Sequence, residues 1–519
     1  MQEFFKFIVE HADKLAEQTL THIGLTFLSL CIALVIGIPL GILITFRPRL
    51  VGFTLGSVGV LQTIPSIALL GFMIPLLGIG PGPAIVALFL YALLPIVQNT
   101  YVGIREVSPA LKEAARGMGL TRWQILFRLE LPLAMPVIFA GIRTATVINV
   151  GVATLAAYLA AGGLGEFIFG GIALNNTNMI LAGTIPSALL AILFDAGLAR
   201  LQNLRGLWRY RVMIVFFLLA PVLSSFYWYP ADGQPRLHAG FAHEFYGRAD
   251  GYPALIRTYD LHLASRLIDQ NLMYEAVHTN LVDIISGYST DGRIKAFNLR
   301  TLADDKHAFP PYQAAFVVRE LSLKKYPELQ PTLDLLAGQL SDSSMTELNY
   351  QVDYLHKSPE TVAREFLNRS DLLQKPYVGK RQGKLVVGAM IFTEQYILVE
   401  ILRQLVENRT ALEVVTKTGL GGTKICFDAL NAGSIDLYPE YTGTGLLVIL
   451  QPPLAVSDSL QVDTKAVYDY VNTEFQRQYK LNWQKPLGFN NTYALMMRES
   501  QAGQLGIKTN SELKRYLDQ

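Results

Sequence analysis

Charge is what this sequence has least of. Only 17% of its 519 residues are Asp, Glu, Lys or Arg, against 51% hydrophobic. Between Leu50 and Ile104 there is no charged residue at all. Soluble domains average about 25% charged residues, so part of this chain belongs in a membrane. The net charge of +2 is too small for a dedicated nucleic-acid binder. Cysteine is scarce too. Cys31 and Cys426 lie far apart, and Cys31 sits in an apolar run, which argues against a disulfide framework or a zinc site. No Ser-His-Asp set and no metal-ligand cluster can be read from the sequence. His238, His243, His278, His307 and His356 are scattered. A phosphate loop ending in Lys-Ser/Thr is missing, so any ATP hydrolysis needs another subunit. No ring of charge marks an ion filter. The first residues are amphipathic, with Phe4, Phe5, Phe7 and Ile8 among charges. They lack the basic start and cleavage site of a signal peptide.

What is present in the first half is a series of long apolar runs. A helical span needs about 20 residues. Spans are expected at 23–46, twice within 50–104 with a break at Gly78–Pro83, at 134–160, at 179–198 and at 212–229. Arg47 and Arg49 follow the first span. Arg200, Arg205, Arg209 and Arg211 lie between the fifth and sixth. Both loops fall on the same side as residues 113–132, and the positive-inside rule makes that side cytoplasmic. Phe226, Tyr227, Trp228 and Tyr229 end the last span as an outer aromatic belt. Gly37, Pro39, Gly41, Pro65, Pro75, Pro95 and Gly151 are read as sites of close helix packing, with broken helices as the other reading. Arg143 and Asp195 are expected near cytoplasmic helix ends, where they can snorkel.

One polar stretch interrupts these runs, EAARGMGLTRWQILFRLELP, Glu113 to Pro132. It reads as a short amphipathic helix, a break at Gly117 and Gly119, and a second helix, with Pro132 marking a stop before the next apolar run. A plain basic loop is the ordinary reading, and a dock for a soluble partner is the sharper one.

Beyond Arg236 the character changes. Leu385–Gly388 is a strand pattern ahead of the helical pattern FTEQYILVEILRQLVE. Val414-Val415 precedes a glycine cluster and a helix to Leu430, and Ile435–Tyr438 follows. Such alternation indicates an α/β domain. The glycine cluster lacks dinucleotide spacing. Tyr288, Tyr312, Tyr441 and Tyr493 each sit beside turn-forming or small polar residues. Singly they read as core tyrosines. Converging, they would form a cage that holds a cation by ring faces, at about 0.5–2 kcal/mol each.

The spacing Glu113-Ala114-Ala115, Gly119, Leu131-Pro132 resembles the coupling loop by which ABC-importer permeases dock on an ATPase subunit. The segments GAMIFTEQ, GLGGT, DLYPEYTGT, GFNNTYAL, HEFYGRADGYPAL, YSTDGRI and LADDKHAFPPYQAA resemble the binding proteins of osmoprotectant ABC importers, which take glycine betaine, choline, carnitine and, in close relatives, ergothioneine. Together the two resemblances cover nearly the whole chain. They imply an all-α polytopic membrane domain of the type I importer class, plus an α/β two-lobed binding-protein domain of type II. The expected layout is a permease domain at 1–207 with a coupling loop at 105–133, a sixth span and tether at 208–232, and a binding domain at 233–519. They also imply a separate ATPase subunit, a homodimeric permease, a bacterial inner-membrane setting with the binding domain outside the cytoplasm, and no cofactor, metal or catalytic residue.

Carried over by motif, the cage falls on Tyr288, Tyr312, Tyr441 and Tyr493, and polar contacts on Arg248, Gln395, Thr444 and Asn491. Arg248 would suit a carboxylate. Neutral Thr444 leaves room for carboxylated ligands. Met390 stands where some members carry Lys. The motif order is also turned around: 236–372 matches the family's second half and 384–519 its first, joined near Gln374–Gly383. This implies circular permutation, or halves swapped between subunits. A membrane-anchored osmolyte sensor and an anchored enzyme are the competing classes. The coupling loop argues against the first, and the missing catalytic set against the second.

Overall fold

The computed structural model describes residues 2–174, 176–203, 237–373, 377–453, 456–457, 460 and 463–519. The expected sixth span and tether at 208–232 lie outside the described residues. Two compact units result, a helical one over most of 2–203 and an α/β one over most of 237–519.

In the helical unit, four described helices are long and apolar enough to cross a membrane: Ala12–Phe46, Pro81–Arg105, the run Arg122–Leu159, and Thr177–Gln202. A fifth candidate is the bent pair Pro48–Thr63 and Ser66–Leu77. The bend is 98° and falls at Ile64-Pro65. Pro65 has no N–H to continue the ladder and its ring disfavours helix before it. The Tyr91 phenol donates to the freed Ile64 carbonyl. Pro65 is therefore a true break, whereas Pro39, Pro75 and Pro95 lie inside helices. Close packing holds for Gly37 and Gly41. A Cβ on Gly41 would stand 2.6 Å from Thr100 Cβ, so the helices Ala12–Phe46 and Pro81–Arg105 can meet only through hydrogen there. Gly151 has open space around it.

Two expectations are corrected here. Arg143 and Asp195 do not snorkel apart. They form a two-pronged ion pair, both contacts 2.8 Å, between the helices Leu131–Ala153 and Thr177–Asn203. Arg143 lies twelve residues into its helix, about 18 Å from its start at 1.5 Å per residue. Each charge takes the other as its partner, so neither has to be solvated alone. Pro132 does not stop a helix either. It occupies the first turn of Leu131–Ala153, where a missing N–H costs nothing. A π-helical turn, Leu126–Glu130, carries the backbone through from Arg122.

Among its described residues the α/β unit has ten strands: β1 His238–Phe241, β2 Ala264–Leu267, β3 Ile284–Tyr288, β4 Leu299–Thr301, β5 Ala314–Arg319, β6 Lys384–Gly388, β7 Glu413–Lys417, β8 Leu437–Tyr441, β9 Leu481–Trp483 and β10 Tyr493–Arg498. They form two five-stranded sheets, β2-β1-β3-β10-β4 and β7-β6-β8-β5-β9. The sheets share one plan. Parallel strands lie on one side (β1 with β3, β6 with β7 and β8), and each sheet contains one antiparallel strand placed out of chain order, β10 in the first and β5 in the second. β10 returns to complete the first lobe, and β5 leaves to complete the second. The chain thus crosses between lobes twice. The crossings are tied together: the Asn491 N–H donates to the Tyr312 carbonyl at 3.1 Å, and the Tyr312 N–H to Asn490 Oδ1 at 2.6 Å. The strand–helix alternation over 385–438 appears as β6, the helix Thr393–Arg409, β7, the helix Thr423–Asn431 and β8.

Candidate functional site: an aromatic cleft and a polar hairpin

The four tyrosines come together within one chain, for a topological reason. Tyr288 ends β3 and Tyr441 ends β8, the carboxyl ends of parallel strands, where open α/β sheets bind ligands. Tyr493 begins β10 and pairs in register with Tyr288. Tyr312 sits on the crossing just before β5, whose Ala314 pairs with Tyr441. All four line one cleft of about 330 Å³, mouth included. Tyr288 stacks at 5.5 Å on Phe392 and at 5.2 Å on Tyr493, and Tyr312 meets Tyr493 edge-on at 5.8 Å. Phe392 is a fifth ring, and Glu244, Met390 and Thr423 line the cleft too; of these the motif carry-over had singled out only Met390, as the position where some members carry Lys.

Arg248, Thr444 and Asn491 line this cleft and Gln395 does not. Fully buried, Gln395 donates to the Tyr441 phenol at 3.3 Å and to the Pro439 carbonyl at 3.1 Å, so it orients the cage from behind. Arg248 is already partly engaged. Its Nε and one Nη2 hydrogen go to Asp250 at 2.9 and 2.7 Å, and Nη2 also donates to Thr444 Oγ1 at 3.1 Å. Nη1 faces Glu244 Oε2 at 3.9 Å. Burial works against the charge on Asp250, but Arg248 beside it prevails, with help from the Tyr312 hydroxyl, and holds its carboxyl below the usual range. Burial and Asp250 push the Tyr312 phenol well up, so it remains a donor to Asp250 at 2.6 Å. Burial raises the Glu244 carboxyl, against the pull of Arg248.

Behind the rings lies a second, polar hollow of about 270 Å³ that shares Tyr288, Phe392 and Asn491 with the first. Glu394 stands in it, fully enclosed by four donors. Thr290 Oγ1 (2.6 Å) and Asn349 Nδ2 (3.1 Å) reach one oxygen; the Tyr441 hydroxyl (2.6 Å) and Asn491 Nδ2 (2.9 Å) reach the other. Its signal was in the sequence, since FTEQ places it next to Gln395.

In the helical unit, the polar stretch forms the helix Pro109–Gly117, a turn, and a second helix capped by Thr121. Gly119 has φ +80° with open space beside it, so conformation alone demands glycine there. Lys112 Nζ ties the hairpin down, at 3.0 Å from Glu130 and 2.8 Å from the Ile104 carbonyl. Glu113, Ala114, Gly119 and Pro132 are exposed, Leu131 is half-buried and Ala115 is buried. Leu111, Met118, Trp123 and Phe127 are exposed large apolar side chains on the same stretch.

Comparison with known proteins agrees with both units. Residues 230–369 and 383–519 match the substrate-binding domain of ABC-type glycine betaine transport systems, and residues 37–204 match the inner-membrane component of binding-protein-dependent transport systems. The carnitine transport permease protein OpuCB of Listeria monocytogenes is 44% identical over 39% of this chain and 93% of its own length. The chain belongs to the osmoprotectant ABC importers. Its permease and binding domain share one polypeptide. The osmoprotectant import permease protein OsmW of Salmonella typhimurium is 47% identical over 38% of this chain and 94% of its own. A fused relative, the ergothioneine transport permease/ergothioneine binding protein EgtU of Helicobacter pylori, is 27% identical over 66% of this chain and 88% of its own.

Proposed function

We propose that this importer subunit captures a quaternary ammonium compatible solute and passes it through a permease made of two copies of the chain. A separate ATPase subunit drives it, docking on the stretch Glu113–Pro132. The observation that carries the ligand reading is the five-ring cleft. Aromatic faces attract a cation that has no N–H to donate, and Tyr288, Tyr312, Tyr441, Tyr493 and Phe392 offer such faces in one place. Arg248, Thr444 and Asn491 supply the polar contacts, and Gln395 positions Tyr441. On this reading the binding domain sits on the extracytoplasmic side of a bacterial inner membrane, and ligand closes the two lobes about the paired crossings. The lobe holding β1 and β10 contains both ends of the domain. That suits a circular permutation within one chain, because the four tyrosines need no second copy to meet.

Equilibrium titration of the purified full-length chain with glycine betaine, carnitine, choline and proline betaine tests this. Saturable binding of at least one supports it, and no binding of any refutes it. Ergothioneine is the second reading, favoured by the fused ergothioneine-binding relative. If it alone binds, that reading replaces the first.

A further inference from the structure

Of the stretch YSTDGRI, only Tyr288 supplies a ring to the cage. The residues after it lead from the end of β3 into the short helix Arg293–Ala296 of the first lobe. There they meet the helix Asp342–Asp353. That helix belongs to the second lobe, packed on the helices Pro359–Arg369 and Thr393–Arg409. Its first turn is fastened to the crossings, where Asp342 Oδ1 accepts from the Asn490 N–H at 2.7 Å.

Side chains bridge this boundary between the lobes. Thr290 Oγ1 donates to Glu394 at 2.6 Å, and Asn349 Nδ2 donates to the Thr290 carbonyl at 2.9 Å. Lys295 Nζ stands 5.0 Å from the centre of the Tyr350 ring. Among these contacts the two backbones themselves come together at Gly292. A Cβ there would lie 2.2 Å from Tyr350 N, 2.4 Å from its Cα and 2.7 Å from the Asn349 carbonyl carbon. All three are main-chain atoms of the second lobe, so no rotamer change relieves the overlap. Carbon atoms in contact stand about 3.5–4.0 Å apart, so the helix would have to withdraw by about 1 Å or more. Yet Gly292 has φ −65° and ψ −23°, which any residue adopts. The glycine is demanded by the approach of the other lobe and not by its own conformation. The same boundary runs between the stacked rings of Tyr288 and Phe392, so a withdrawal here parts the cage.

We infer that Gly292 is a positioning residue for ligand capture. Its bare backbone is the surface on which the helix Asp342–Asp353 lands when the lobes close, outside the ring of residues that hold the ligand. A side chain at this position props the lobes apart. The inference rests on the ligand-driven closing of the two lobes proposed above.

The test is equilibrium and rapid-mixing binding to the full-length chain in parent, Gly292→Ala and Gly292→Val forms, with glycine betaine, carnitine, choline and ergothioneine as probes. Affinity should fall with side-chain size, about tenfold for Ala and about a hundredfold for Val, because apparent affinity scales with the fraction of receptor able to close. The loss should appear as faster dissociation, with association nearly unchanged. Melting without ligand should stay within about 2 °C of the parent, since open lobes leave room for the side chain. Lys295→Met is a second variant. Lys295 is exposed, so its loss leaves the lobes folded, and removing its contact with the Tyr350 ring should weaken binding by about two- to fivefold. A parent that binds a probe while Gly292→Val binds it equally well overturns the inference and leaves the proposed function standing. So does weaker binding by the Gly292 variants that comes with a matching loss of ligand-free stability, if Lys295→Met binds like the parent. A parent that binds none of the four overturns both.

Discussion

Replacing Glu394 by Ala should loosen the cage without touching a cleft-lining ring. The carboxylate holds four donors: the Tyr441 and Thr290 hydroxyls and the amides of Asn349 and Asn491. Stranding a buried donor costs about 1–3 kcal/mol. Glu394 borders a polar hollow of about 270 Å³, however, so water can replace it and the low end applies. Four donors at that end give about 3–4 kcal/mol of lost stability. For a domain of this size each kcal/mol moves the melting temperature by about 2–4 °C, so a drop of about 6–16 °C is expected. Ligand affinity should fall as well, by about tenfold, because Tyr441 and Asn491 lose the anchor that aims them. Glu394→Gln should recover about half of each loss. The Tyr441 and Thr290 hydroxyls can turn to accept from the new amide, while the amides of Asn349 and Asn491 can only donate with the atoms that face it. Thermal unfolding of the full-length chain, with and without ligand, reads both quantities. If Glu394→Ala melts and binds like the parent, Glu394 anchors nothing and this reasoning fails.

Glu440 is buried in β8, and burial pushes its carboxyl up to about 7 from 4.5. The folded state therefore holds the proton over a range where the unfolded state has lost it. Stability should fall by about 3 kcal/mol as pH rises from about 4.5 to about 7 and then level off. Glu440→Gln should flatten that slope in melting curves taken across this range. Tyr288→Ala should weaken ligand binding by about 1–2 kcal/mol, five- to thirtyfold, and Tyr288→Phe by less, because the ring face survives; equal titrations for all three would place the cage elsewhere. Gly119→Val, forced to φ +80° at a cost of about 1–2 kcal/mol, should abolish ligand-stimulated ATPase activity in the assembled transporter and leave ligand binding intact; normal transport would refute the docking role. A cysteine at position 234 should react with an impermeant reagent from outside and one at 202 only from inside, and the reverse pattern would invert the topology.

Much of the architecture was legible because it depends on local signals. The uncharged run 50–104 and its break at Gly78–Pro83 needed only composition, and the helix Pro81–Arg105 starts where that break ends. The strand–helix alternation over 385–438 needed only periodicity. The four tyrosines were legible through motif order. The rest turned on partners distant in sequence. Arg143 and Asp195 are fifty-two residues apart, and nothing local says that each neutralises the other. Arg248 was read as a partner for a ligand carboxylate, and nothing in that reading showed that Asp250, two residues on, already takes one of its edges. Glu394 looked like one polar residue in a helical pattern, yet its four partners come from three separate segments and β8. Pro132 was misread because proline stops a helix interior and suits a helix start, and a single sequence does not say which position it holds.

The two crossings have a consequence for how the receptor comes into being. β10 lies between β3 and β4, so the first lobe's sheet has a gap until residues 493–498 have been synthesised. Until then β3 carries an unpaired edge, and Tyr288 lacks the ring it stacks on in β10. The second lobe draws its inserted strand, β5, from before β6, so it can assemble earlier. Capture of ligand is thereby tied to completion of the polypeptide. A nascent chain that already has its spans in the bilayer and the stretch Glu113–Pro132 formed still has no finished receptor. On the docking proposed above, a prematurely terminated product would occupy an ATPase without holding cargo, and its open edge would mark it as incomplete to any factor that recognises unpaired strands.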